Sequence, residues 1–171
     1  MKTTKHIKFY CVDNDVLDLD YFRENFKPNI DNTLYTFNSV QMFMNKIKAD
    51  SRDRSFKIVI IDNIISSRGM NTKTALELIP QIKSIDKEIE IIIFADSENI
   101  ELKATSSNVK AAAFIKKDAQ YFARLYPVIS RLISEYELKR KQRDSKLASI
   151  IVLSIFAASA ITFALGLLLY E

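Results

Sequence analysis

Phe56 to Asp62 reads FKIVIID, an apolar block that ends on a carboxylate and runs into a loop holding Ser66, Ser67 and Gly69. A short apolar run followed by turn residues suits a strand buried on both faces of a parallel sheet. The last residue of such a strand stands in the crevice outside the carboxyl ends of the sheet, where open α/β sheets place their chemistry. Asp62 is therefore the first candidate functional residue. The competing reading is an aspartate that only turns or caps the chain.

Working outward, His6 to Val12 (HIKFYCV) is another strand candidate, ending in Asp13-Asn14-Asp15. Val16, Leu19, Phe22 and Phe26 follow at helical spacing, with Asn14 or Asp15 placed to cap the start and Pro28 just past the end. Leu34 to Phe37 is a short strand, after which Ser39 can cap a helix burying Val40, Phe43, Met44 and Ile47. Beyond Asp62 a longer loop leads to a helix with Ala75, Leu76, Leu78, Ile79 and Ile82, with Pro80 inside it. Glu90 to Ala95 (EIIIFA) is a buried strand, Ile100 to Ser107 a weak helix, and Ala111 to Ile115 a fifth strand. Leu125, Ile129, Leu132, Ile133 and Tyr136 then mark one face of a last helix. Strands alternating with helices predict βαβ units, hence an α/β, doubly wound five-stranded parallel sheet spanning residues 1–136.

Composition narrows the function. With 48% hydrophobic and 27% charged residues, 171 residues supply one domain core and an appended segment. Two glycines and three prolines argue against a turn-dense all-β sandwich and against a disordered chain. Cys11 is the sole cysteine and lies in an apolar strand pattern, which reads as buried filler. His6 is the sole histidine and has no ligand types beside it, so a histidine metal site or a Ser/His/Asp triad has little support. Glycine-rich phosphate loops and nucleophile elbows are absent, and the chain is not expected to be a conventional enzyme.

Residues 147–170, LASIIVLSIFAASAITFALGLLLY, carry no charge. A helix of that length, at about 1.5 Å per residue, exceeds the roughly 30 Å hydrocarbon core of a bilayer. The segment is expected to be a transmembrane helix, and its C-terminal place sets aside a secretory signal. Residues 137–146 (ELKRKQRDSK) form a basic juxtamembrane helix with five basic and two acidic residues. By the positive-inside bias they put the N-terminal domain in the cytoplasm, making a single-pass protein of the cell membrane. The same basic run suits contact with anionic membrane lipid. Because that basicity abuts the membrane and no recognition motif accompanies it, nucleic acid is not an expected partner. Ser154, Ala158, Thr162 and Gly166 place small residues every four positions, which suits a homodimer through the span.

In flavodoxin-like strand order, 2-1-3-4-5, the first and third strands are neighbours, so Asp13, Asn14 and Asp62 converge. Lys117, after the fifth strand, reaches the same crevice. Clustered oxygen ligands beside an ammonium suit Mg²⁺ and a phosphoryl group, with Asp62 as the nucleophile that receives it. The acidic loop Val12 to Asp15 (VDND), the aspartate closing IVIID and the stretch AAAFIKKD, Ala111 to Asp118, follow in the order and spacing of a known family. Over roughly residues 5 to 136 the chain resembles the receiver domain of bacterial two-component response regulators.

That resemblance implies a phospho-acceptor at Asp62 and a phosphoryl-contacting lysine at Lys117. It implies Mg²⁺ held by Asp13, Asn14, Asp62 and the backbone carbonyl of Ile64, and a histidine kinase or phosphotransfer protein as phosphate source. Phe114 falls on the family's aromatic switch position. Asn14 departs from the family's second acid, and Ala95 stands where a Thr or Ser hydroxyl normally closes on the phosphoryl group. The loop after Asp62 carries Ser66 in place of the common proline and is longer by about five residues. The expected function is thus a membrane-anchored receiver that signals by protein-protein interaction without a DNA-binding output domain. The alternative, motivated by Asn14 and Ala95, is a phosphorylation-independent pseudo-receiver acting as a tail-anchored interaction module.

Overall fold

The structure, a computed structural model, describes residues 6–28, 31–66, 72–95 and 110–168, with side chains described except at 64–66, 72, 73, 147, 148, 152 and 157–168. In chain order the elements are β1 (Ile7–Val12), α1 (Val16–Asn25), β2 (Thr33–Phe37), α2 (Val40–Ala49), β3 (Phe56–Asp62), β4 (Ile64–Ser66), β5 (Thr72–Thr74), α3 (Ala75–Ile85), β6 (Glu90–Ala95), β7 (Ala113–Lys116) and α4 (Tyr121–Leu168). Five strands form one sheet in the order β2-β1-β3-β6-β7. All four pairings in it are parallel. With the hairpin β4-β5 set aside, this is the expected 2-1-3-4-5.

β3 occupies the centre because Ile58, Val59, Ile60 and Ile61 are wholly buried, on both faces of the sheet. Burying each such side chain contributes about 1.5–3 kcal/mol, so an exposed β3 would forfeit more than any local propensity supplies. On one face Tyr10, Val12, Val59, Ile61, Ile91 and Ile93 pack with Phe43 and Ile47 of α2 and Leu78, Ile79 and Ile82 of α3. On the other, Phe9 meets Phe26 just past α1, Phe94 meets Phe22 of α1, and Tyr121 at the start of α4 packs edge-on against Phe94. Helices therefore cover both faces, as a parallel sheet requires.

Several local expectations change. Of the two candidate caps of α1 the structure selects Asp15, its carboxylate accepting the Leu17 N–H at 2.8 Å. Val16 is exposed on the first turn, although Leu19, Phe22 and Phe26 are buried as their spacing requires. Ser39 sits at the N-cap of α2 without a side-chain cap bond. The loop after Asp62 is not featureless: β4 and β5 pair antiparallel, Ile64 opposite Thr74, and the Ala75 N–H donates to the Asn63 carbonyl at 2.9 Å. The lengthened segment is thus pinched off at its base. The helix read over Ile100 to Ser107 lies outside the described residues.

At the N-terminal edge of the sheet, Lys8 and Lys57 face each other across β1 and β3. Lys8 pairs with Asp50 at 3.2 Å and Asp53 at 2.6 Å, Lys46 with Asp50 at 3.2 Å, and Lys57 with Asp86 at 2.9 Å. The Tyr10 hydroxyl donates to Asp50 at 2.7 Å, and the Lys46 ammonium lies 4.5 Å from the Tyr35 ring centroid. Burial and then the Asp50 bond push the Tyr10 phenol well above its usual range.

The chain divides into two compact units, residues 1–129 and 130–171. The backbone of α4 is helical from Tyr121 to Leu168. Among the described residues no helix is long and apolar enough to cross a membrane. The expected transmembrane segment, 147–170, is helical in backbone to Leu168, and most of its side chains lie outside the described residues.

Candidate functional site

The crevice forms where β1, β3 and β7 end. Val12 closes β1, and the Asp13 N–H extends the pairing with β2 by donating to the Phe37 carbonyl at 3.0 Å. The Asp13 side chain then turns back to accept the Asp15 N–H at 2.9 Å, an Asx turn that leads into α1. Asp13 is only 4% exposed. Asp62 ends β3 opposite Phe94 of β6, and the next N–H, from Asn63, donates to the Phe94 carbonyl at 2.9 Å. Lys117 immediately follows β7.

These three residues come together. The Lys117 ammonium lies 2.6 Å from Asp13, 104 residues away in sequence, and 4.0 Å from Asp62. A third carboxylate joins them: Asp18, on the first turn of α1, lies 2.5 Å from Lys117. Burial alone would lower the Lys117 pKa. The hydrogen bonds that Lys117 donates to Asp13 and Asp18, with the charges of Asp13 and Asp62, outweigh it and push the lysine pKa well above its ordinary range. Beneath the crevice Cys11 is buried, and desolvation, then the Asp13 charge, push its thiol far above the reactive range. It is packing, as its strand context implies.

Other predicted residues fall differently. Asn14 is exposed at the bend between Asp13 and Asp15. Ile64 opens the hairpin as the first residue of β4. Ala95 ends β6, buried and in register with Lys116, and puts a methyl where a hydroxyl was sought. Phe114 lies on β7 opposite Ile93 and is half-buried against the core that α2 and α3 share. His6 is engaged by the Asp31 carbonyl and by the Thr33 hydroxyl at 2.9 Å.

Sequence reasoning missed Asp18. Its signal was weak but present, an acid one helical turn beyond the capping Asp15 on a helix whose apolar positions fix its rotation. Among the described residues no group of three or more His, Cys, Asp or Glu side chains is set to hold a metal ion. Two carboxylates, Asp13 and Asp62, do share the crevice, and Mg²⁺ is commonly bound through one or two carboxylates with water completing its shell. The donor chemistry therefore fits Mg²⁺ without fixing it.

No protein-family model matches the chain, nor does any curated protein. Solved structures do. A response regulator receiver domain protein from Clostridium thermocellum aligns with a TM-score of 0.58 at 16% identity, covering 77% of this chain and 98% of that one. Full-length FixJ from B. japonicum aligns with a TM-score of 0.58 at 21% identity, covering 82% of this chain, which spans 63% of FixJ. The phosphorylated cyanobacterial phytochrome response regulator RcpA aligns with a TM-score of 0.53 at 16% identity, covering 72% of this chain and 89% of that one. At these identities the likeness is one of fold, and the fold of this chain is that of a response-regulator receiver domain.

Proposed function

We propose that the chain is a membrane-anchored receiver whose Asp62 accepts a phosphoryl group from a histidine kinase or phosphotransfer protein. One observation supports this above the others: Lys117, bonded to the buried Asp13, stands 4.0 Å from the Asp62 carboxylate at the end of the central strand. An Asp62 oxygen attacks the phosphorus of a phosphohistidine; the new O–P bond forms as the P–N bond breaks, and the imidazole nitrogen leaves with the electron pair. Lys117 meets the phosphoryl oxygens and offsets their charge, and Asp13 holds Lys117 at the correct edge of the sheet. Asp13, Asp62, Asn14 and the Ile64 carbonyl would hold Mg²⁺, which when bound neutralises charge on the transferred group.

Anchoring rests on the uncharged run 147–170 and the basic run before it. Incubation of the full chain in detergent with a small phosphodonor and Mg²⁺ should give a phosphoryl-mass adduct that Asp62→Asn lacks. No adduct under conditions that label an ordinary receiver would overturn the assignment. Flotation of the full chain with anionic liposomes, lost on deleting residues 147–170, tests the anchor.

A second reading, a pseudo-receiver that binds its partner regardless of phosphate, is favoured by the buried methyl of Ala95. It requires partner capture to be unchanged in Asp62→Asn.

A further inference from the structure

The crevice holds more negative charge than the receiver reading assigns to it. Lys117 contacts Asp13 at 2.6 Å and Asp18 at 2.5 Å, yet stops 4.0 Å short of Asp62, beyond hydrogen-bond reach. The two short pairs are unequal. Asp13 is buried and its other oxygen is held by the Asp15 N–H, so its place is fixed. The Asp18 side chain is 46% exposed on the rim of α1, where water can replace its partner.

Building on the assignment of Asp62 as phospho-acceptor, we propose that Asp18 is a positioning residue that competes with Asp62 for Lys117. In the unmodified protein Asp18 holds the ammonium back. When a doubly charged phosphoryl group appears on Asp62, Lys117 moves toward it, keeps Asp13 and gives up Asp18. The released carboxylate changes the charge on the first turn of α1, at the protein surface. Phosphorylation thereby reaches the surface through a lysine and a carboxylate, with no need for the hydroxyl that Ala95 lacks.

Beryllofluoride with Mg²⁺, a phosphoryl mimic, tests this on the full chain in detergent, with bound fluoride followed by ¹⁹F NMR. Asp18→Asn should bind it roughly two- to fivefold more tightly than wild type, the scale of a half-exposed ion pair. Asp18→Glu should restore wild-type affinity. Asp20→Asn, which removes a carboxylate of the same helix that pairs with Arg23 instead, should leave affinity unchanged. Unchanged or weaker binding in Asp18→Asn, or equal tightening in Asp20→Asn, would overturn the competition. Binding by Asp18→Asn alone would support it. Absence of binding in every variant, Asp18→Asn included, would instead remove Asp62 as acceptor and the proposal with it.

Discussion

The two ends of the central sheet use the same residue types to opposite effect. At the N-terminal edge three lysines, Lys8, Lys46 and Lys57, meet three aspartates, Asp50, Asp53 and Asp86. At the C-terminal edge, among the described residues, Lys117 faces Asp13, Asp18 and Asp62. A balanced set of ion pairs satisfies itself and serves to hold strands and helices together. Three carboxylates gathered about one ammonium instead leave room for exchange, in which the lysine shifts between partners or a cation joins them. Charge balance thus separates the structural edge from the candidate functional one.

The comparison fails if the edges respond alike to mutation. The largest effect is expected at the balanced edge: Asp86→Ala takes the carboxylate partner from Lys57, whose side chain is 2% exposed, leaves its ammonium on the Asp53 carbonyl at 2.7 Å, and should cost about 3 kcal/mol in a urea unfolding experiment. Next, saturating the acidic edge should stabilise the fold. Mg²⁺ at tenfold its dissociation constant is expected to add about 1.4 kcal/mol, and Asp13→Asn should abolish the gain.

Acid should weaken the balanced edge. The Lys8 hydrogen bond, helped by the Ser55 N–H, holds Asp53 at about 2 against an ordinary 3.8. For Asp50, desolvation opposes ionisation, but the Tyr10, Lys8 and Lys46 bonds outweigh it and lower its pKa. Both folded-state values lie below the unfolded ones, so their stabilisation is full above about pH 4 and is lost as pH falls toward 2. A urea midpoint measured across that window should fall less steeply in Asp53→Asn than in wild type. The smallest effect on stability is expected from Asp62→Asn, within about 0.5 kcal/mol, although it removes the proposed phospho-acceptor. A large loss there would make Asp62 a structural residue.

Much of this arrangement is legible in the chain because burial leaves plain traces. A strand covered on both faces must be apolar at every position, and Ile58 to Ile61 are; the residue after such a run must stand at the sheet edge, and Asp62 does. Asp13 and Lys117 follow more loosely, as the residues next after the strands β1 and β7. The hairpin escaped notice because β4 and β5 have three residues each, too few to show an alternation. Asp18 looked like an ordinary polar position, since its importance depends on the rotation of α1 against a lysine a hundred residues away. Lys8 and Lys57 carry a signal that sequence reasoning left unread: a charge inside an apolar strand demands a partner, and the structure sets the two opposite each other where those partners gather.

The closure between Asn63 and Ala75 also bears on how such a molecule can vary. A backbone hydrogen bond from Ala75 to Asn63 joins the two residues that flank the paired strands β4 and β5. Lengthening or trimming that appendage changes closure entropy only slowly and leaves the register of β3 and the start of α3 where they are. A change of length there can therefore reshape the border next to residue 62 while the strand and helix on either side keep their places.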